Sequence, residues 1–201
     1  MGRKSNQPPL VVGITGASGA VYAREFLRRL ASRGVAVHLS ISAAGFAVIE
    51  EELGLSLDER RPDLDKLIGV EDQRHGRRGT VLALPEYFHC SDIGAPACSG
   101  SLRTRGMVVV PCSMGRLAAI AAGLSRDFID RAADVTLKEG RRLVLVPRET
   151  PLNLIHIKNM LAAAQAGATV FPAMPGFYRH PRSVDELVCF LVDRILEYLE
   201  L

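Results

Sequence analysis

The sequence predicts an α/β protein: one domain with a doubly wound, mainly parallel sheet covered by helices on both faces. Three observations lead there. Short apolar, β-branched runs alternate with helical periodicity along the chain. The runs are mostly continuous rather than alternating, as in strands buried on both sides. Finally, 201 residues of which 48% are hydrophobic suffice for one well-buried core and are too few for two full-sized ones.

Taken in order, residues 10–15 (Leu-Val-Val-Gly-Ile-Thr) read as a strand. They lead through Gly16-Ala-Ser-Gly-Ala20 into Tyr22, Phe26, Leu27 and Leu30 at helical spacing. Gly34 stops that helix and residues 35–41 form the second strand, completing a βαβ unit. A second helix is expected over 43–53. Residues 58–79 are charged and aperiodic, as in a surface excursion, and 80–84 read as an added strand. Strand 107–110, the turn Pro111-Cys-Ser-Met-Gly115 and the apolar positions Leu117, Ile120 and Ala121 repeat the strand–turn–helix pattern. A helix ending near Gly140, strand 143–146, helix 154–166 and strand 169–171 follow. The last helix opens with a capping box from Ser183 to Glu186. The result is a three-layer, Rossmann-like or flavodoxin-like domain over 10–201, with an N-terminal extension at 1–9 and an excursion around 58–92.

Composition excludes several classes. No apolar run has the length of a membrane span and no signal peptide is recognisable, so a soluble, unprocessed, cytoplasmic protein is expected. Cys90, Cys98, Cys112 and Cys189 form no CxxC pair and have no histidine at ligand spacing, which supports neither a disulfide framework nor a metal site. A net charge of +3, scattered among acids, argues against nucleic acid.

Ligands of such sheets bind beyond the carboxyl ends of the strands, so the turns there form one set. Gly16 to Ala20 offers backbone N–H groups at a helix N-terminus, suited to a phosphate or an electron-rich ring edge, although the glycines equally serve a tight turn. It matches neither GxGxxG nor GxxxxGK[ST], which favours a mononucleotide. Ser113 stands where it binds a phosphate or ribityl group or caps its own helix. Cys112 reads as a small buried hydrophobe. Arg131 and Lys138, seven apart, share one helix face and suggest an anion, the alternative being a solvated stripe. Residues 146–151 set Arg148 and Glu149 between Pro147 and Pro151, rigid charges at the sheet's carboxyl edge suited to catalysis or a subunit contact. The small-residue loop 94–101, and the proline-braced stretch 172–178 with Tyr178, complete the candidates; Arg194 recurs in the last helix.

Six of these stretches, in this order, resemble the UbiX-type flavin prenyltransferases: Gly-Ile-Thr-Gly-Ala-Ser-Gly-Ala, Ser-Gly-Ser at 99–101, Pro-Cys-Ser-Met, Arg-Ala-Ala-Asp-Val-x-Leu-Lys, Leu-Val-Pro-Arg-Glu-x-Pro and Pro-Gly-Phe-Tyr. The resemblance implies a metal-independent homo-oligomer, a dodecamer by analogy, with its site built across subunits. It further implies that reduced FMN and dimethylallyl phosphate are joined at flavin N5 and C6, giving the prenylated FMN used by UbiD-type decarboxylases. By resemblance, Gly16, Ala17, Ser18, Ser42, Ser113, Met114, Gly115, Arg116 and Arg131 contact FMN. Ser99, Lys138, Arg148, Tyr178 and Arg194 hold the substrate phosphate. Ser18, Glu52, Lys138 and Glu149 carry the catalytic roles, Glu52 and Glu149 as acid/base groups. Cations aimed at a leaving phosphate are what such a reaction needs.

Departures from the family pattern are Gly115-Arg116 where many members have Lys-Thr, Cys98 where many have Ala, and a long 58–92 segment. Two rivals stand beside this reading. An FMN-dependent cysteine decarboxylase would carry a Pro-Ala-Ser-Ala-Asn-type turn and a histidine after the second strand, where this chain has Pro-Cys-Ser-Met and Ser42-Ala-Ala-Gly-Phe46. A non-catalytic FMN-binding protein would have no use for Lys138, Arg148 and Glu149 together.

Overall fold

The computed structural model describes residues 7–69 and 83–201. Six strands form one parallel sheet: β1 (Leu10–Ile14), β2 (Val37–Ile41), β3 (Glu86–Tyr87), β4 (Met107–Cys112), β5 (Leu143–Pro147) and β6 (Ala168–Val170). Their order is β3-β2-β1-β4-β5-β6, so the chain reverses direction across the sheet between β1 and β4. At such a reversal neighbouring connections leave on opposite faces and open a crevice at the strand ends.

The helices are α1 (Ala20–Ser32), α2 (Ala43–Leu53), α3 (Leu64–Ile68), α4 (Met114–Ala121), α5 (Phe128–Lys138), α6 (Leu154–Gln165) and α7 (Val184–Leu199). Strand alternation sends Leu10, Val12 and Ile14 to one face, packed with Phe26 of α1 and Val192 of α7. Val11, Met107 and Val109 face the other side, with Phe128 and Ala132 of α5. Phe26 and Phe128 are fully buried, and burial of each stabilises the fold by about 1.5–3 kcal/mol.

Two expectations are corrected. Within the stretch read as aperiodic, residues 64–68 form α3, capped by the Asp63 side chain on Lys66 N–H and closed by Gly69 at φ 73°. Leu67 and Ile68 enter the core, because a single helical turn suffices to bring two adjacent apolar residues onto α1. The strand expected over 80–84 lies partly outside the described residues; Ala83 and Leu84 are not strand, and the sheet's edge is instead Glu86–Tyr87 paired with His38 and Leu39. Pro85 sits just before it, where a residue without an N–H is tolerated.

At the other end the box at α7 is modified. Ser183 accepts from Glu186 N–H at 3.2 Å, while the Glu186 carboxylate accepts from Arg182 N–H at 2.7 Å, one residue earlier than a reciprocal box requires. Among the described residues, no helix is long and apolar enough to cross a membrane.

Candidate flavin site at the strand ends

The crevice between β1, β2 and β4 holds a cleft of about 570 Å³, within the range of roughly 300–1,000 Å³ usual for small-molecule sites. Its floor is Thr15, Gly16 and Ile41, with Ser42, Ala43 and Ala44 at the start of α2 and Ser113 and Gly115 at the start of α4. His89, Cys90 and Ser91 form a further wall with Arg116 and Asp127.

Local sequence explains this geometry. The Pro111 carbonyl accepts from both the Thr15 backbone N–H, at 3.2 Å, and the Thr15 hydroxyl, at 2.8 Å. That hydroxyl in turn accepts from Ser113 N–H at 2.8 Å, so one buried threonine ties the β1 and β4 turns together. Gly16 is required by contact: a Cβ there would stand 2.4 Å from the Ala44 Cβ. Gly19 is required by conformation, at φ 117°. Ser42 and Ser113 cap α2 and α4 by accepting from Gly45 N–H at 3.1 Å and Arg116 N–H at 3.2 Å. Two helix N-termini thus open on one cleft, a setting for an anion and for hydrogen bonding to a ribityl chain or ring edge.

The start of α1 lacks a side-chain cap of its own. Glu52 of α2 supplies it, accepting from Gly19 N–H at 2.9 and 3.1 Å and from Ala20 N–H at 2.7 Å. Partial burial works to raise its pKa. The Ser18 hydrogen bond, the two backbone N–H groups and the charge of Arg148 outweigh that and hold the carboxyl below the usual range. From the end of β5, Arg148 Nε donates to the Ser18 carbonyl at 3.2 Å. Ser18, Glu52 and Arg148, assigned separate roles from the sequence, therefore meet at one turn.

The remaining residues lie elsewhere in the subunit. Ala17 and Met114 are buried beneath the turns. Arg131 donates to the Cys98 carbonyl at 3.3 Å and pairs with Asp134. Lys138 pairs with Glu139 at 2.7 Å, and a Cβ on Gly100 would be 3.1 Å from its Nζ. Arg131 and Lys138 thus share one face of α5, as their spacing implied, and the 98–101 loop lies along it with Ser99 hydrogen-bonded to Ser101. Glu149 is exposed and accepts from Thr150 N–H. Tyr178 packs edge-on against Phe190, and Arg194, paired with Glu197, borders a groove with Phe171 and Met174. Of the residues the sequence singled out, Gly16, Ser42, Ser113, Gly115 and Arg116 line the cleft, whereas Ala17, Ser18, Glu52, Ser99, Met114, Arg131, Lys138, Arg148, Glu149, Tyr178 and Arg194 do not.

Sequence reasoning missed Thr15, the 89–91 wall and Asp127. Asp127 before the apolar start Phe128 is a readable N-cap signal, and its side chain does accept from Asp130 N–H at 3.0 Å. Burial pushes the Cys112 thiol up to about 12 and Cys90 to about 11, so neither is a ready nucleophile.

The order of the strands and a cleft walled by helix N-termini define a mononucleotide-binding α/β protein. The family model described as Flavoprotein matches residues 1–196. Flavin prenyltransferase UbiX of Halalkalibacterium halodurans is 46% identical over 188 residues, covering 94% of this chain and 86% of that one. Flavin prenyltransferase LpdB of Lactiplantibacillus plantarum is 43% identical over 189 residues, covering 94% and 90%. The crystal structure of AnUbiX (PadA1) in complex with FMN and dimethylallyl pyrophosphate superposes with a TM-score of 0.81 at 39% identity, covering 98% of this chain and 94% of that one. A dodecameric FMN-dependent UbiX-like decarboxylase from Escherichia coli O157:H7 gives 0.79 at 40%, covering 96% and 95%. The chain belongs to the UbiX-type flavin prenyltransferases of the Flavoprotein family. The FMN-dependent cysteine decarboxylase SpaF, at 16% identity and a TM-score of 0.53, shares the fold alone.

Proposed function

We propose that this protein is a flavin prenyltransferase that joins a dimethylallyl group to N5 and C6 of reduced FMN, releasing the phosphate of the prenyl donor. One observation supports the reading: Arg148 donates to the Ser18 carbonyl in the turn after β1, the turn whose Gly16 lines the cleft. A cation fixed there is placed for an allylic phosphate, whose leaving oxygen gains charge as its bond to carbon breaks. FMN is a substrate here, held by the N–H groups at the starts of α2 and α4, while the Thr15 tie keeps the two turns at a constant separation.

Glu52, kept as a carboxylate beside Ser18, serves as a proton acceptor; Glu149, free of the cleft in one subunit, serves as the second acid/base group. Lys138, Ser99, Tyr178 and Arg194 join them through assembly. Support for a homo-oligomer comes from α6, where Leu154, Ile155, Ile157 and Leu161 are half or more exposed on a helix that a soluble monomer would keep polar. A dodecamer is the expected size, because the E. coli relative is one. Delivery of the product to a UbiD-type decarboxylase and residence in the cytoplasm belong to the same proposal, the latter supported by four free cysteines.

The test is release of phosphate from dimethylallyl phosphate by the purified protein. Release that requires reduced FMN, one phosphate per flavin consumed, is expected. Phosphate release independent of flavin, or none with either the monophosphate or the pyrophosphate, would overturn the proposal.

A further inference from the structure

We infer that Arg116 is a positioning residue for the flavin, acting through Asp127 to hold the 89–91 wall, and that this wall takes an uncharged part of the flavin rather than its phosphate. The inference rests on the cleft being the FMN site.

Arg116 lines the cleft, yet its guanidinium is already committed. Nη1 and Nη2 donate to the two oxygens of Asp127 at 2.7 and 2.8 Å in a fork, and Nη1 also donates to the fully buried Asp130. Arg126 Nε reaches the other Asp130 oxygen at 2.9 Å. Two arginines face two aspartates, so the group is neutral as a whole. Nε and one N–H on Nη2 remain as donors, without an uncompensated charge for a phosphate dianion.

Asp127 carries the fork's position to the wall. Phe128 N–H, next in the chain to Asp127, donates to the Cys90 carbonyl at 2.8 Å. His89 Nδ1 and the Ser91 hydroxyl are joined at 2.7 Å, completing a polar wall. Neutral, hydrogen-bonding walls suit a ribityl chain or ring edge, whereas free backbone N–H groups at a helix start, as at α2, suit the phosphate.

FMN and riboflavin differ by that phosphate, so the ratio of their affinities separates the two roles. Arg116→Lys keeps a positive charge but loses the fork. It is expected to weaken FMN and riboflavin by the same factor, about tenfold, the size of one lost charged hydrogen bond. The KM for FMN should rise while kcat at saturating FMN is kept. Asp127→Asn retains a good cap for α5 and breaks only the fork, and is expected to weaken both flavins equally. Weakening of FMN alone in Arg116→Lys, or tighter FMN relative to riboflavin in Asp127→Asn as Arg116 is released, would show a phosphate ligand and overturn the inference. So would a lowered kcat with unchanged flavin KM in a variant that unfolds at the wild-type temperature, which would place Arg116 in the chemical step instead of in flavin positioning. Absence of FMN binding in the wild-type protein would instead defeat the proposed function, and this inference with it.

Discussion

Glu52, at the end of α2, spans the N-terminus of α1 with both oxygens on Gly19 N–H and one shared with Ala20. Helix α1 borrows its cap from a neighbour, so the charged form of that carboxylate stabilises the turn that carries Ser18. Glu52→Gln is expected to destabilise the protein by about 0.5–1 kcal/mol at neutral pH, the low range for a cap in solvent. The Glu52 pKa is depressed in the folded state, so its stabilisation is present above the unfolded value of about 4.3 and lost as pH falls through the lower folded value. Urea unfolding of both proteins should differ at pH 7 and converge in acid; equal midpoints at pH 7 would contradict the capping role.

Arg148 is expected to act on the prenyl donor more than on the flavin. Arg148→Ala should lower kcat/KM for dimethylallyl phosphate about a hundredfold, the scale of removing one donor to a developing anion, with FMN affinity changed little. Steady-state kinetics beside flavin fluorescence titration measures both; equal loss in the two would place Arg148 in flavin binding instead.

Gly16→Ala puts a methyl group 2.4 Å from the Ala44 Cβ and 3.2 Å from the Ala44 backbone, so α2 and the β1 turn must separate. Overpacking of this kind costs about 1–3 kcal/mol. A lowered thermal midpoint together with lost FMN binding is expected, and unchanged binding would mean that the cleft floor is not the flavin site.

Glu149 touches only its own loop among the described contacts. Glu149→Gln should therefore retain FMN and lose most prenylation. Turnover at the wild-type rate in that variant would remove Glu149 from the mechanism.

Replacing Ile155, 67% exposed on α6, by Glu tests whether assembly completes the site. Light scattering should report smaller particles and turnover should fall with them. Full activity in a dissociated protein would show that one subunit suffices.

The layered fold was legible because each element carries a local signal. Helix α2 begins after Ser42 and ends before Gly54 at φ 65°, and the expected bounds coincide with those observed. Helix α3 was missed despite Asp63 and Gly69 at its ends, because five residues are too few to show a period. The strand-end turns identified the cleft, yet what each side chain does there depends on partners from other elements. Nothing local pairs Arg116 with Asp127 and Asp130 beyond a loop and a helix start, or sends Glu52 to the head of α1. Tyr178 and Arg194 stand apart from the cleft, Arg194 beside the groove of Phe171 and Met174, and no local signal in the sequence relates them to it.

The most direct test of the central claim is anaerobic incubation of the assembled protein with reduced FMN and dimethylallyl phosphate, followed by mass spectrometry of the released flavin. The account predicts a flavin heavier by one five-carbon prenyl unit. Flavin recovered unmodified from protein that binds it tightly, with the monophosphate and the pyrophosphate alike, would contradict it.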